Sequence, residues 1–248
     1  MKRFAFLFGN TDGLKGVKKD IRRFREFLKS DVGGAWEPWE IDGGCDLALD
    51  VVRRKIGDIR RGGYDYVIVY FSGHGGMIRT TKLCLNSDEE SIDEEEFTGL
   101  ADRQFSIFDC CRASPDAATN SKEATFDAAN EASMLDYRNL YRAHYERLIE
   151  AASPQEVRLY ACQKYKKAYD TSKGGMYTQQ LIDDAIEQSK YGNAYVKDVH
   201  RAAASVVRCF SMAKGEYQEP DIDVVSRVMQ PNDLVFAVKL HCLEGEFA

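Results

Sequence analysis

The sequence predicts an α/β fold built on a mostly parallel central sheet. Short apolar runs alternate with amphipathic helical stretches in the order strand, helix, strand, helix, strand. That order calls for right-handed crossovers between parallel strands. Two of the apolar runs also end in chemically distinctive residues. Tyr66 to Phe71 leads into Ser72-Gly73-His74-Gly75-Gly76, and Phe105 to Phe108 leads into Asp109-Cys110-Cys111-Arg112. Neighbouring parallel strands would deliver a histidine and a cysteine to one sheet edge, where open α/β sheets bind ligands.

Arg3 to Phe8 is a short apolar strand closed by Gly9-Asn10-Thr11-Asp12-Gly13. Residues 14–29 carry Val17, Ile21, Phe24 and Phe27 or Leu28 at helical spacing, with Lys and Arg on the other face. Trp36 to Ile41 reads as a second strand, which Pro38 assigns to a sheet edge. Residues 46–61 form a helix through Leu47, Val51, Val52, Ile56 and Ile59, and Tyr64 to Phe71 is the central strand. Met77 to Leu85 reads as a small hairpin. The acidic run Ser87 to Glu96 has two readings. One is a solvated loop leading into the acidic first turn of a helix that ends near Ala101. The other is a calcium site, because clustered carboxylates supply hard oxygen ligands, although the spacing does not match an EF-hand loop.

Gln104 to Cys110 is the second site-bearing strand. Ala113 to about Ser153 is Ala-, Asn- and Ser-rich, then helical through Met134, Leu135, Tyr137, Leu140, Tyr141, Tyr145 and Leu148. This segment either packs on its own domain or docks on something else through its Tyr and Arg residues. Val157 to Cys162 is a fifth strand. Thr178 is a suitable cap for the helix that follows. Residues 194–210 give a further helix through Val196, Val199, Ala203, Val206 and Phe210, and Leu234 to Leu240 closes the sheet.

Composition limits the function classes. A chain of 248 residues suits one large α/β domain or two small ones, and 44% hydrophobic residues supply a sizeable core. The formal net charge of −6, without a basic tract, argues against nucleic-acid binding. No signal-peptide pattern or bilayer-spanning apolar run is present, so no membrane association is expected. The seven cysteines are odd in number and lack CxxC spacing, which argues against a disulfide framework or a structural zinc site. A reducing cytoplasm is the expected compartment.

The two distinctive segments carry the chemistry. A thiol beside an imidazole is the minimal apparatus of nucleophilic acyl transfer. Gly73, Gly75 and Gly76 let the backbone around His74 turn sharply and approach a substrate closely. The amides of Gly75 and Cys111 would then face the carbonyl under attack as an oxyanion hole. The competing reading is a satisfied histidine in a glycine turn and two inert buried cysteines.

Ser72-Gly73-His74-Gly75 and Asp109-Cys110-Cys111-Arg112-Ala113-Ser114 resemble the His and Cys motifs of the caspase-like cysteine peptidases, the superfamily of caspases, metacaspases and paracaspases. Caspases centre the nucleophile in Gln-Ala-Cys-Arg-Gly with the His about 50 residues upstream. Here the separation is 37 residues and the first motif position is Asp109, closer to the metacaspase pattern. The resemblance makes Cys111 the nucleophile and Cys110 the variable middle residue, and strand alternation turns the two side chains to opposite faces. It also implies a three-layer α/β/α sandwich. A single peptidase domain would cover 1–248, with a large-subunit-like part at 1–112, a helical insertion or linker at 113–153 and a small-subunit-like part at 154–248. Ala161-Cys162-Gln163 with Ala168-Tyr169-Asp170, Gly174 to Leu181 and Gln218-Glu219-Pro220 resemble further family segments.

The implied activity is an endopeptidase acting on protein or peptide substrates through His74 and Cys111, with no metal or organic cofactor. Calcium dependence enters only because many metacaspases need calcium. In metacaspases the position of Asp109 lines the P1 pocket and selects Arg or Lys, while true caspases select Asp with arginines. Lys164, Lys166, Lys167 and Lys173 leave that second preference open. His144, His200 and His241 are expected to be surface or packing residues. Two alternatives stand beside the peptidase: a catalytically silent scaffold that binds partners, and a transpeptidase or ligase. Without a recruitment domain, control would come from a separate partner or from processing.

Overall fold

The computed structural model describes residues 1–114, 135–171, 173–226, 228–229 and 231–239. The elements are β1 (Arg3–Gly9), α1 (Val17–Lys29), β2 (Ile41–Cys45), α2 (Leu49–Gly62), β3 (Tyr66–Gly73), β4 (Gly75–Met77), β5 (Thr81–Cys84), β6 (Ser91–Asp93) and β7 (Arg103–Cys110). There follow α3 (Leu135–Ala151), β8 (Gln155–Tyr160), β9 (Asp170–Thr171), β10 (Gly174–Gly175), α4 (Met176–Ser189), β11 (Ala194–Tyr195), α5 (Val196–Ala213), β12 (Asp221–Ser226) and β13 (Val235–Ala237). The main sheet has six strands in the order β12-β8-β7-β3-β1-β2. All neighbours are parallel except β12, which runs antiparallel to β8 at one edge.

Side-chain alternation along the strands divides the core in two. Ala5, Leu7, Ile68, Tyr70, Phe105, Ile107, Val157 and Leu159 face one way and are covered by α1, α3, α4 and α5. Phe6, Phe8, Val67, Val69, Phe71, Phe108 and Cys110 face the other way, beneath α2 and the small sheet of β4, β5 and β6. Both faces are buried, which is why the central strands read as continuous apolar runs. The result is an α/β/α sandwich. Phe24 of α1 is fully buried and stacks on Tyr70 at 4.6 Å, so it keys α1 to the central strand.

Several expectations need correction. Residues 36–41 are not a strand: Pro38–Glu40 is a turn of 3-10 helix, with Pro at its start, and the strand begins at Ile41. The edge position foreseen for this region is occupied by β2. The expected Met77 to Leu85 hairpin is present as β4 and β5, and β6 extends it to a three-stranded sheet. The acidic run begins as the expected loop over 87–90, then forms β6 and a 3-10 turn, Glu94–Phe97, in place of the expected helix. Four of its acids find protein partners, Glu90 among them through Asn86 and the Leu49 amide. Asp93 accepts from Thr80 and Lys82, Glu94 from the Thr81 amide, and Glu96 from Arg53. Leu234 to Val238 does not close the main sheet, because β13 pairs with β11, and β12 takes the edge instead. Of the 113–153 segment, α3 packs on its own domain, with Tyr141, Tyr145 and Ile149 in the core. Its half-buried Arg142 and the buried Arg3 of β1 converge on Glu40. Met134, Leu240 and His241 lie outside the described residues.

Phe24→Ala should destabilise the protein by about 3–5 kcal/mol, the usual cost of deleting a buried aromatic side chain. Urea denaturation measures it, and a loss below about 1 kcal/mol would show that α1 is not keyed through this ring.

Candidate active site

Strand register brings the two motifs together. β3 and β7 are neighbours with Gly73 opposite Cys110, so His74 and Cys111 are the first residues past two matched strand ends. Cys110 turns into the core under α2, while Asp109 turns to the opposite face, toward α4. The expected separation of the two cysteines is therefore present, with Cys110 buried and Cys111 half-buried.

The imidazole is held by backbone. His74 Nε2 lies 2.6 Å from the main-chain oxygen of Asp12, in the loop after β1. A carbonyl only accepts, so Nε2 carries the proton, and in the neutral ring Nδ1 is left as the acceptor. The sequence gives no side-chain signal for this, since Asp12 contributes its backbone.

The cysteine is also engaged. Cys111 Sγ is 3.4 Å from both the amide nitrogen and the carbonyl oxygen of Ala168, in the loop after β8. Burial raises the thiol pKa. The Ala168 amide and the Lys167 charge work against that shift, and Asp109 adds to it. Arg112, the next residue, is buried and anchors the loop. Its amide donates to the Lys166 carbonyl at 2.9 Å. Its guanidinium reaches Thr81, the Cys162 carbonyl and Asp221, and lies 3.8 Å over the Tyr160 ring.

Gly75 stands over the two cysteines. Cys84 N–H donates to the His74 carbonyl, so Gly75 falls at a non-bonded position of the antiparallel β4–β5 ladder and its amide faces away from β5. Met77, two residues on, shows where that side leads: its amide donates to the Ala113 carbonyl at 2.9 Å. A Cβ on Gly75 would stand 2.6 Å from Cys110 Sγ and 2.8 Å from the Cys111 carbonyl oxygen. Only glycine permits this approach.

Asp109 is buried, and its position differs from a simple pocket floor. Its Oδ2 accepts from the amide and the hydroxyl of Thr178, in the first turn of α4. Thus Thr178 does not cap the helix; Asp109 does so from a neighbouring strand. Behind it, Asp20 of α1 accepts from the Gly175 amide, Ser72 and Gln179. Burial pushes Asp109 up to about 6, and burial together with the Asp109 charge pushes Asp20 well up. Asp170 is the third carboxylate. One of its oxygens accepts from the Gly16 amide at 3.2 Å, and the other is buried without a hydrogen-bond partner among the described residues. Burial raises its pKa, and the nearby charges of His74 and Lys19 work against this. Asp20 had a signal in the sequence, since it falls on the apolar stripe of α1 beside Val17, Ile21 and Phe24.

The remaining histidines stand apart. His144 on α3 pairs with Asn193 and Arg147. His200 is buried against the Tyr177 hydroxyl at 2.6 Å, and burial lowers its pKa to about 4.

A sequence model of the caspase domain matches residues 2–229. The chain belongs to that family. Among solved structures this caspase domain is similar to the Geobacter sulfurreducens protein GSU0716, at 14% identity and a TM-score of 0.60, covering 92% of this chain and 95% of that one. It is also similar to caspase-1 from Spodoptera frugiperda, at 12% identity and a TM-score of 0.57, covering 98% and 92% respectively. At such identities the likeness is one of fold, and it extends over nearly the whole chain. No curated protein matches it in sequence. Among the described residues no helix is long and apolar enough to cross a membrane, and no group of three or more His, Cys, Asp or Glu is placed to hold a metal ion.

A thiol whose pKa is raised is protonated at neutral pH, and its thiolate fraction grows about tenfold per pH unit below that pKa. Alkylation of Cys111 in the resting protein should therefore keep accelerating beyond pH 9. A rate that levels off below pH 8 would show a preformed thiolate instead.

Proposed function

We propose that this caspase domain is a cysteine endopeptidase working through His74 and Cys111. The observation that carries this reading is the matched register of β3 and β7, with His74 fixed in one tautomer by the Asp12 carbonyl. His74 Nδ1 is then the base that takes the Cys111 proton as the sulfur attacks a peptide carbonyl. The resulting oxyanion is received by the amides of Gly75 and Cys111, donors of a kind worth about 2.7–4 kcal/mol each. The imidazolium returns its proton to the leaving amine. Water, deprotonated by His74, hydrolyses the acyl-enzyme, and the thiol is restored. None of these steps calls on a metal or an organic cofactor.

The P1 residue is Arg, with Lys second. Asp109, Asp20 and Asp170 gather at the sheet edge beside the nucleophile, and buried carboxylates are costly unless a cation joins them. Asp109 spends one oxygen on Thr178, so it acts on the pocket through its field, while Asp170 retains an oxygen without a partner. Arg is favoured over Lys because its planar fork can bond a carboxylate twice.

Cys111→Ala should abolish peptide cleavage, while Cys110→Ala retains it. His74→Ala should lower turnover by about 10²–10⁴. A fluorogenic peptide library read with these variants tests the reading. Cleavage surviving in Cys111→Ala would overturn the nucleophile, and a profile dominated by Asp at P1 would overturn the specificity. A wild-type protein that cleaves nothing while folding normally would favour the scaffold function.

A further inference from the structure

The loop after β8 carries an unusual charge pattern. Lys164, Lys166 and Lys167 lie within four residues of an acidic chain whose formal charge is −6. Lys164 and Lys166 are exposed, and Lys167 is partly so. None of the three forms an ion pair among the described residues. On the facing segment, Glu219 bonds Arg208 and Tyr217. Lys166 rests its ammonium 5.8 Å from the Tyr217 ring, an exposed cation–π contact that leaves its charge unneutralised. Like charges this close in sequence repel one another.

Tyr165 stands among them in a left-handed conformation, with φ of 62°. A bulky non-glycine residue is uncommon there and is worth a functional question. Its ring is 63% exposed rather than packed, so core burial does not account for the strain. The whole segment sits on the lip of the nucleophile. Arg112 N–H holds the Lys166 carbonyl, Ala168 touches Cys111 Sγ, and the Lys167 charge is felt at the thiol. The lysines do not form the floor of the P1 pocket, where the described charges are carboxylates.

We propose that residues 164–167 form an accessory subsite that selects substrates carrying acidic residues within a few positions of the scissile bond. This rests on the peptidase function and adds a second requirement to it: a basic P1 residue set in an acidic neighbourhood. Asp or Glu side chains of the bound peptide would pair with Lys164 and Lys166, and the Tyr165 ring would cover the apolar part of the same segment. Tyr is well suited to such contacts because it offers a large amphipathic surface with few rotatable bonds. Exposed pairs of this kind are individually weak and sensitive to salt, so the subsite tunes preference among peptides that already satisfy P1.

The test compares two peptides with the same Arg at P1, one flanked by Glu residues and one by Gln. Wild-type protein should cleave the Glu-flanked peptide with a kcat/KM about tenfold higher at low ionic strength, and about 0.5 M NaCl should erase the difference. The double substitution Lys164→Gln/Lys166→Gln should remove most of that preference and leave cleavage of the Gln-flanked peptide within about twofold of wild type. Lys164→Glu/Lys166→Glu should invert the preference. Equal rates on both peptides, or a preference untouched by the double substitution, would overturn the subsite while leaving the peptidase intact. Failure to cleave either peptide is instead the failure of the peptidase reading, and binding of the two peptides to Cys111→Ala, measured by fluorescence anisotropy, then decides the subsite alone.

Discussion

The site depends on one constraint, the parallel pairing of β3 with β7. Parallel strands keep register without a turn to set it, so the match of Gly73 with Cys110 must come from packing on both faces. Tyr70 and Ile107 are locked under α1 and α4 on one side, and Phe71 and Phe108 under the small sheet on the other. A slip of one residue would bury Cys111 beneath α2 and turn Cys110 toward α4. Which of the two thiols faces the site is thus chosen by the hydrophobic pattern of the strand, far from any polar contact Cys111 makes.

A second constraint acts on the first turn of α4. Its free amides meet two carboxylates from other elements, Asp109 and Asp20, instead of a capping side chain of their own. Helix N-termini favour negative charge, which offsets part of the cost of burying these acids. The close passage of Gly175 belongs to the same arrangement, since a Cβ there would stand 2.2 Å from Asp109 Oδ2. Asp109 and the helix start are therefore one construction, and substitutions at Asp109 also disturb the fold.

Much of this was legible in the sequence. The two apolar runs, the glycine-framed His74 and the alternation that separates Cys110 from Cys111 lead directly to the observed strand ends. α1, α2 and α5 were legible from their spacing, apart from their first turns, whereas the helix expected after the acidic run is a 3-10 turn. What escaped was carried by backbone or by tertiary context. Asp12 acts through its carbonyl, and Ala168 through its amide and carbonyl, so their side chains announce nothing. β12 was missed because its residues, Asp221 to Ser226, are half-exposed at an edge and lack a clean apolar pattern. Trp36 mimicked a strand residue but is a fully buried ring beneath the Arg3 guanidinium, where aromatic packing overrides local propensity.

The contact between Ala168 and Cys111 has a thermodynamic consequence. In the proposed peptidase, a substrate carbonyl would need the sulfur that the Ala168 amide and carbonyl engage at 3.4 Å, so this contact would compete with substrate. A protein whose competent state is only a fraction of the population shows an apparent affinity reduced by that fraction. Each increment of about 1.4 kcal/mol favouring the resting loop weakens binding tenfold. In the proposed peptidase the loop would then set a threshold that tight, well-matched peptides overcome and poorly matched ones do not.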